Sequence, residues 1–180
     1  MFFDQHGNLL VSAGAATPVA SFEQVRAYIA AGQGFVYSTG EQQSPAGSVN
    51  LGLSLFNPAN SGKNILIYSI RIFCTGYAMF FLALSNADPA LGTPAVITNA
   101  MPGAALTSVA SATYTNTNLT PPASNTILEG AQAAGNYTVC DLLSNNSIYI
   151  LPKGSASGLL LFFNSSATNT WIATIKGVEY

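Results

Sequence analysis

Charge is what this sequence has least of. Lys and Arg number 5 and Asp and Glu number 7, so charged residues make up 7% of the 180 positions, against a usual share of about 25%. The hydrophobic share is 49% and the formal net charge is −2. A disordered chain shows the opposite balance, low hydrophobicity with high net charge, so this one is expected to fold. Its basic residues, Arg26, Lys63, Arg71, Lys153 and Lys176, are scattered. They form no patch that would neutralise phosphates, and no nucleic-acid partner is expected.

Long apolar runs are also missing. The longest, Tyr77–Leu84 and Gly158–Phe163, fall short of the ~20 residues that cross a bilayer, so no membrane helix and no membrane partner are expected. Met1-Phe2-Phe3-Asp4-Gln5-His6 lacks the basic start and apolar block of a secretory signal, which makes synthesis in a cytoplasm the expectation. Cys74 and Cys140 are the only cysteines, each beside apolar neighbours. A free thiol in such a setting behaves as a small hydrophobe. In a reducing compartment free thiols are expected, a disulfide between the two being the alternative.

Titratable groups are too sparse for ordinary catalysis. His6 is the one imidazole, and it sits beside Gly7 near the N-terminus, so a Ser–His or Cys–His pair would have to recruit it from there. Asp4, Asp88, Asp141, Glu23, Glu41, Glu129 and Glu179 show no Asp-x-Asp spacing, and no His-x-x-x-His pair exists. Neither an enzyme, a cofactor nor a metal site is expected; an oxygen-rich calcium loop at Asn86-Ala87-Asp88 stays open as an alternative. Ser61-Gly62-Lys63 has the end of a phosphate loop without its earlier glycine, and strands flank it where a helix is needed, so it reads as a turn. Asn-x-Ser/Thr matches such as Asn136-Tyr137-Thr138 carry no meaning without a secretory signal. The 8 tyrosines, 10 phenylalanines and Trp171 could stack on sugar rings, but Phe73, Phe80, Phe81, Phe162 and Phe163 fall inside apolar strands, which favours core packing.

What is present is strand periodicity. Residues 1–20 read as an arm, followed by a short helix with Ser21 as cap, Gln24 closing a capping box and Gly32 as stop. Phe22, Val25, Tyr28 and Ile29 form its apolar stripe. Beyond it, Phe35-Val36-Tyr37 opens the strands. In 48–56, Val49, Leu51, Leu53 and Leu55 alternate with Asn50, Gly52 and Ser54, which marks a half-buried strand. Asn57–Gly62 is a turn-rich link to a strand at 64–75 that is apolar on both faces and therefore central. With Tyr77–Leu84 these form an expected three-strand meander. Residues 95–122 read as edge strands and long loops, and Asn136–Leu143, Ile148–Leu151, Leu159–Phe163 and Thr170–Gly177 supply the rest. About eight to ten short strands at such intervals predict an all-β, jelly-roll-like β-sandwich over 35–180, preceded by an N-terminal arm and short helix over 1–34.

Gly47–Ile72 resembles segments of small β-sandwich virion structural proteins of tailed bacteriophages, of the capsid decoration and minor head type. The resemblance centres on Leu55-Phe56-Asn57-Pro58, then Ser61-Gly62-Lys63 and an Ile/Tyr-rich strand. It implies a jelly-roll-like domain, often a homotrimer, seated on a lattice of major capsid protein, with a virion location and no cofactor or catalytic residues. Under that reading Phe2, Phe3, Leu9, Leu10, Phe22 and Tyr28 are the candidate docking arm. The rival reading is a receptor- or glycan-binding module of a tail or fibre, with Asn99, Tyr114, Asn116 and Asn118 as candidate loop contacts; a non-viral lectin-like or appendage protein is a third.

Overall fold

The computed structural model describes residues 2–3, 9–10, 22–45, 49–105, 108–116, 119–120, 127–133, 138–143, 148–165 and 168–180. Two antiparallel sheets stack face to face as a jelly-roll-like sandwich. The first has six strands: β11 (Ile127–Ala133), β7 (Ala78–Ser85), β14 (Ser157–Ser165), β5 (Val49–Asn57), β10 (Ser111–Thr115) and β8 (Thr93–Pro94), in that spatial order. The second runs β12 (Thr138–Asp141), β6 (Ile65–Cys74), β15 (Thr170–Glu179), β3 (Gly34–Ser38) and β9 (Val96–Asn99), with β13 (Tyr149–Leu151) on β6 and β4 (Gln42–Gln43) on β15. A separate hairpin joins β1 (Phe2–Phe3) to β2 (Leu9–Leu10).

The expected meander does not form. β5, β6 and β7 alternate between the two sheets, and β14 lies between β5 and β7, paired with both along its length. The reason lies in the faces. Leu51, Leu53 and Leu55 of β5 point into the same core as Ile65, Ile67, Ile70 and Ile72 of β6, so strands in opposing layers bury both sets against each other. The linking turn holds its shape through Gly62 at φ 71° and a hydrogen bond from Ser61 Oγ to the Lys63 carbonyl.

The core is aromatic and aliphatic. Trp171, Phe35, Phe80 and Phe163 are fully buried, and the Trp171 ring meets Phe163 edge-on at 4.8 Å between centroids. Each fully buried Leu, Ile or Phe contributes about 1.5–3 kcal/mol. Outside one sheet, Phe81 stacks on Phe162 at 5.0 Å, beneath Leu91 and Leu119. Outside the other, α1 (Phe22–Ala30) lays Val25 against Leu66 and Val178. The helix ends as expected at Gly32, whose φ is 77°; Gly32 N–H donates to Ile29 O and Gln33 N–H to Tyr28 O, the double bond of a Schellman stop. The expected cap, Ser21, lies outside the described residues.

β6 does not alternate evenly. Its pairing with β15 skips Tyr68, with Ser69 opposite Lys176 and Ile67 opposite Gly177. This bulge switches the inward positions from Ile65 and Ile67 to Ile70, Ile72 and Cys74. Gly177 is required at the bulge, because an added Cβ would stand 2.4 Å from the Leu66 carbonyl oxygen and 2.5 Å from Phe35.

Neutral amides tie the loops where other proteins use charge. Asn57, fully buried, donates from Nδ2 to the carbonyls of Lys63, Leu151 and Pro152 at 3.0, 3.0 and 3.2 Å. Asn169 does the same at the other end, donating to Tyr77 O at 3.2 Å and Ser165 Oγ at 2.8 Å.

Candidate functional site

The inward positions of β15 are Trp171, Ala173 and Ile175, and the same parity brings Glu179 inside, 1% exposed. Its carboxylate has three neighbours. Ser108 Oγ–H donates to Oε1, Val109 N–H donates to Oε2 at 3.2 Å, and Lys63 Nζ lies 3.6 Å from Oε2. Tyr37, buried on β3, hydrogen-bonds Ser108 Oγ, and Ala110 N–H donates to the same oxygen at 3.1 Å. With its own proton committed to Glu179, the Ser108 oxygen accepts from Tyr37 and Ala110 and has no capacity left. Burial, and secondarily the Glu179 charge, push the Tyr37 hydroxyl well above its ordinary ionisation range. The chemistry of this cluster is that of a latch, which fixes residues 108–110 across the ends of β3 and β15.

Above the latch, a pocket of about 500 Å³ opens at the corner where the chain passes from β8 to β9. Tyr37, Ala95, Ile97, Ser108, Ala110 and Ala112 are among its walls. The crossing itself is pinned by Ala95 N–H donating to Ala112 O at 2.9 Å.

Exposed large apolar side chains collect at the two opposite margins of the sandwich. One margin holds Val96, Ile97 and Met101, on and just after β9. The other holds Tyr77, Met79, Leu84, Leu128, Val139, Ile148 and Ile150, on or beside β7, β11, β12 and β13. Both apolar groups lie at or next to sheet edges; Glu129 and Asp141 fall on the edge strands of the second margin. On the outer face near the second margin, Arg71 pairs with Asp141 at 3.2 Å, both largely solvated, an arrangement that contributes little to stability.

The candidate arm residues divide. Phe2 pairs with Leu10 and Phe3 with Leu9 in the β1–β2 hairpin. Phe22 begins α1. Tyr28 stacks on Tyr180, with ring centroids 4.9 Å apart, so it seats the helix on its own sandwich. Among the candidate loop contacts, Asn99 serves the fold: Nδ2 donates to Gly32 O at 2.9 Å and Oδ1 accepts from Met101 N–H at 2.7 Å. Tyr114 is half-buried and packs edge-on to Trp171. Asn116 Nδ2 donates to Gln42 Oε1 at 2.8 Å, and Asn118 lies outside the described residues. The three described positions are not brought together at one surface site. The sequence pattern does not assemble the latch, although the alternation of the terminal strand is the signal that places Glu179 inside.

Cys74 is buried and Cys140 partly so, both with free thiols. They face the same core diagonally across β6 and β12, since Cys74 pairs with Thr138 and Cys140 with Ile72. Burial pushes both thiols up. Among the described residues no group of three or more His, Cys, Asp or Glu side chains is placed to hold a metal ion, and no helix is long and apolar enough to cross a membrane. No family model matches the chain, and no curated protein matches it.

Proposed function

We propose that the chain is a structural protein of a tailed-phage virion, a decoration or minor head component that acts by packing on a lattice of major capsid protein. The observation that carries this reading is the placing of exposed apolar side chains at two opposite margins of a nearly uncharged sandwich. Where exposed apolar side chains form a continuous surface on a folded domain, that surface marks contact with other protein. Contact of that kind is worth roughly 25 cal/mol per Å² and is not weakened by salt. Two margins on opposite edges let each copy touch more than one neighbour, so modest contacts multiply over the copies in a shell. In this reading the margin with Val139 and Ile150 faces the capsid, and the chain turns over no substrate.

Co-sedimentation with empty tailed-phage capsids tests it. Binding is expected to saturate at a fixed number of copies per shell, and Val139→Lys with Ile150→Lys is expected to abolish it while leaving the circular dichroism spectrum unchanged. A folded protein that ignores capsids but binds one carbohydrate on a glycan array overturns the reading in favour of a recognition module.

A further inference from the structure

A strand at the end of a sheet presents unpaired backbone groups, and natural edges are blunted by charge, proline or bulges. β8 is two residues long and contains Pro94; β11 carries Glu129 and a register shift beside it; β12 carries Asp141. β9, Val96-Ile97-Thr98-Asn99, has none of these within it. It pairs with β3 along one edge, and no strand flanks the other among the described residues. Val96 is 59% exposed and Ile97 39%, and Ile97 is also a wall of the pocket at the β8–β9 corner. An edge with no strand beside it among the described residues, next to a pocket, is the arrangement by which folded domains take up an extended segment, the backbone supplying affinity and the pocket selecting a side chain.

The same chain carries a short apolar segment outside the two large sheets. β1 and β2 are two residues each and pair with one another, and an isolated two-stranded hairpin is marginal in water. All four of their residues, Phe2, Phe3, Leu9 and Leu10, are large and apolar. Residues 11–21 separate the hairpin from α1, a length that extended spans about 35 Å, enough to reach an adjacent molecule. Within one chain, strand donor and strand acceptor are not paired with each other.

We propose that the N-terminal arm of one copy adds as a strand to β9 of a second copy and sets one of its large apolar side chains in the adjoining pocket. The contact joins two different surfaces, so it is head-to-tail and closes into a ring where the rotation permits. The proposal deepens the self-association expected of a virion subunit and assigns the capsid to the other margin.

Sedimentation velocity on the full chain over a range of concentrations tests it. The unaltered protein is expected to form a closed oligomer. Ile97→Lys, which spoils the acceptor, and Leu9→Asp with Leu10→Asp, which spoils the donor, are each expected to weaken association by at least about tenfold, because a charge is set on an apolar contact. Mixing the two variants is the decisive arm: one retains a sound donor and the other a sound acceptor, so a 1:1 pair is expected where neither variant associates alone. A monomeric unaltered protein, a donor variant of unchanged mass, or a mixture that stays monomeric overturns arm exchange. Capsid binding retained by non-exchanging variants leaves the virion reading standing, and self-association without capsid binding removes that reading alone.

Discussion

Truncating Glu179 to Ala removes the centre of the latch at once. The side chain is 1% exposed and accepts from Ser108 Oγ–H and Val109 N–H. Each hydrogen bond to a charged group is worth about 1.5–3 kcal/mol, and a buried donor left unpaired costs about 1–3 kcal/mol. The Lys63 contact adds little, because that side chain is 39% exposed and its charge is solvated. A loss of about 3–4 kcal/mol is expected for Glu179→Ala, which for a chain of this size lowers the melting temperature by roughly 10 °C. Ser108→Ala strands the Tyr37 hydroxyl and is expected to cost about 1–2 kcal/mol. Since both act on one network, the double variant should lose less than the sum, with a coupling of at least about 1 kcal/mol. Urea denaturation of the four proteins, at unchanged m-value, measures all of this. A Glu179→Ala protein within about 0.5 kcal/mol of the parent, or strict additivity with Ser108→Ala, refutes the latch.

Gly177→Ala drives a methyl group into the Leu66 carbonyl and the Phe35 ring, and a loss of about 2–3 kcal/mol is expected by thermal or urea unfolding. Diagonal cross-strand Cα atoms lie about 7–8 Å apart, beyond the usual disulfide span, so Cys74 and Cys140 are expected to titrate as two thiols in denaturant without reductant and to react slowly in the folded protein. The Tyr37 hydroxyl ionises later in the folded chain than in the unfolded one. Its contribution is therefore fully present below the ordinary tyrosine value of 10.0 and lost as the pH climbs above it. Alkaline unfolding curves should show that loss, and Tyr37→Phe should reduce the slope.

Much of the fold was legible because most strands bury one face. The alternation of Leu51, Leu53 and Leu55, and of Trp171, Ala173 and Ile175, marks β5 and β15 directly, and Gly32 marks the helix stop. Three things were not legible. Period-two patterning says which face of a strand is buried but not which sheet it joins, so a meander and the observed alternation of β5, β6 and β7 between layers carry the same sequence pattern. The Tyr68 bulge hides in a strand with apolar residues at both parities, interrupted by Ser69 and Arg71, so neither parity marks the inward face along its whole length. β11, Ile-Leu-Glu-Gly-Ala-Gln-Ala, has little β-branched character and is held by its pairing with β7. Of the site, the charge-poor surface was visible in composition. The latch was not, because Tyr37, Ser108 and Glu179 are about 70 positions apart along the chain at each step. The pocket was hidden too, since its walls come from separate parts of the chain and carry no motif.

In the proposed reading this molecule works as one of many copies packed against other protein. Light scattering of the purified chain, alone and with empty capsids, tests it most directly. The expected result is a stable oligomer, three chains if the ring closes as a trimer, that adds to capsids up to a fixed stoichiometry. A monomer at every concentration that leaves the capsid mass unchanged would contradict it.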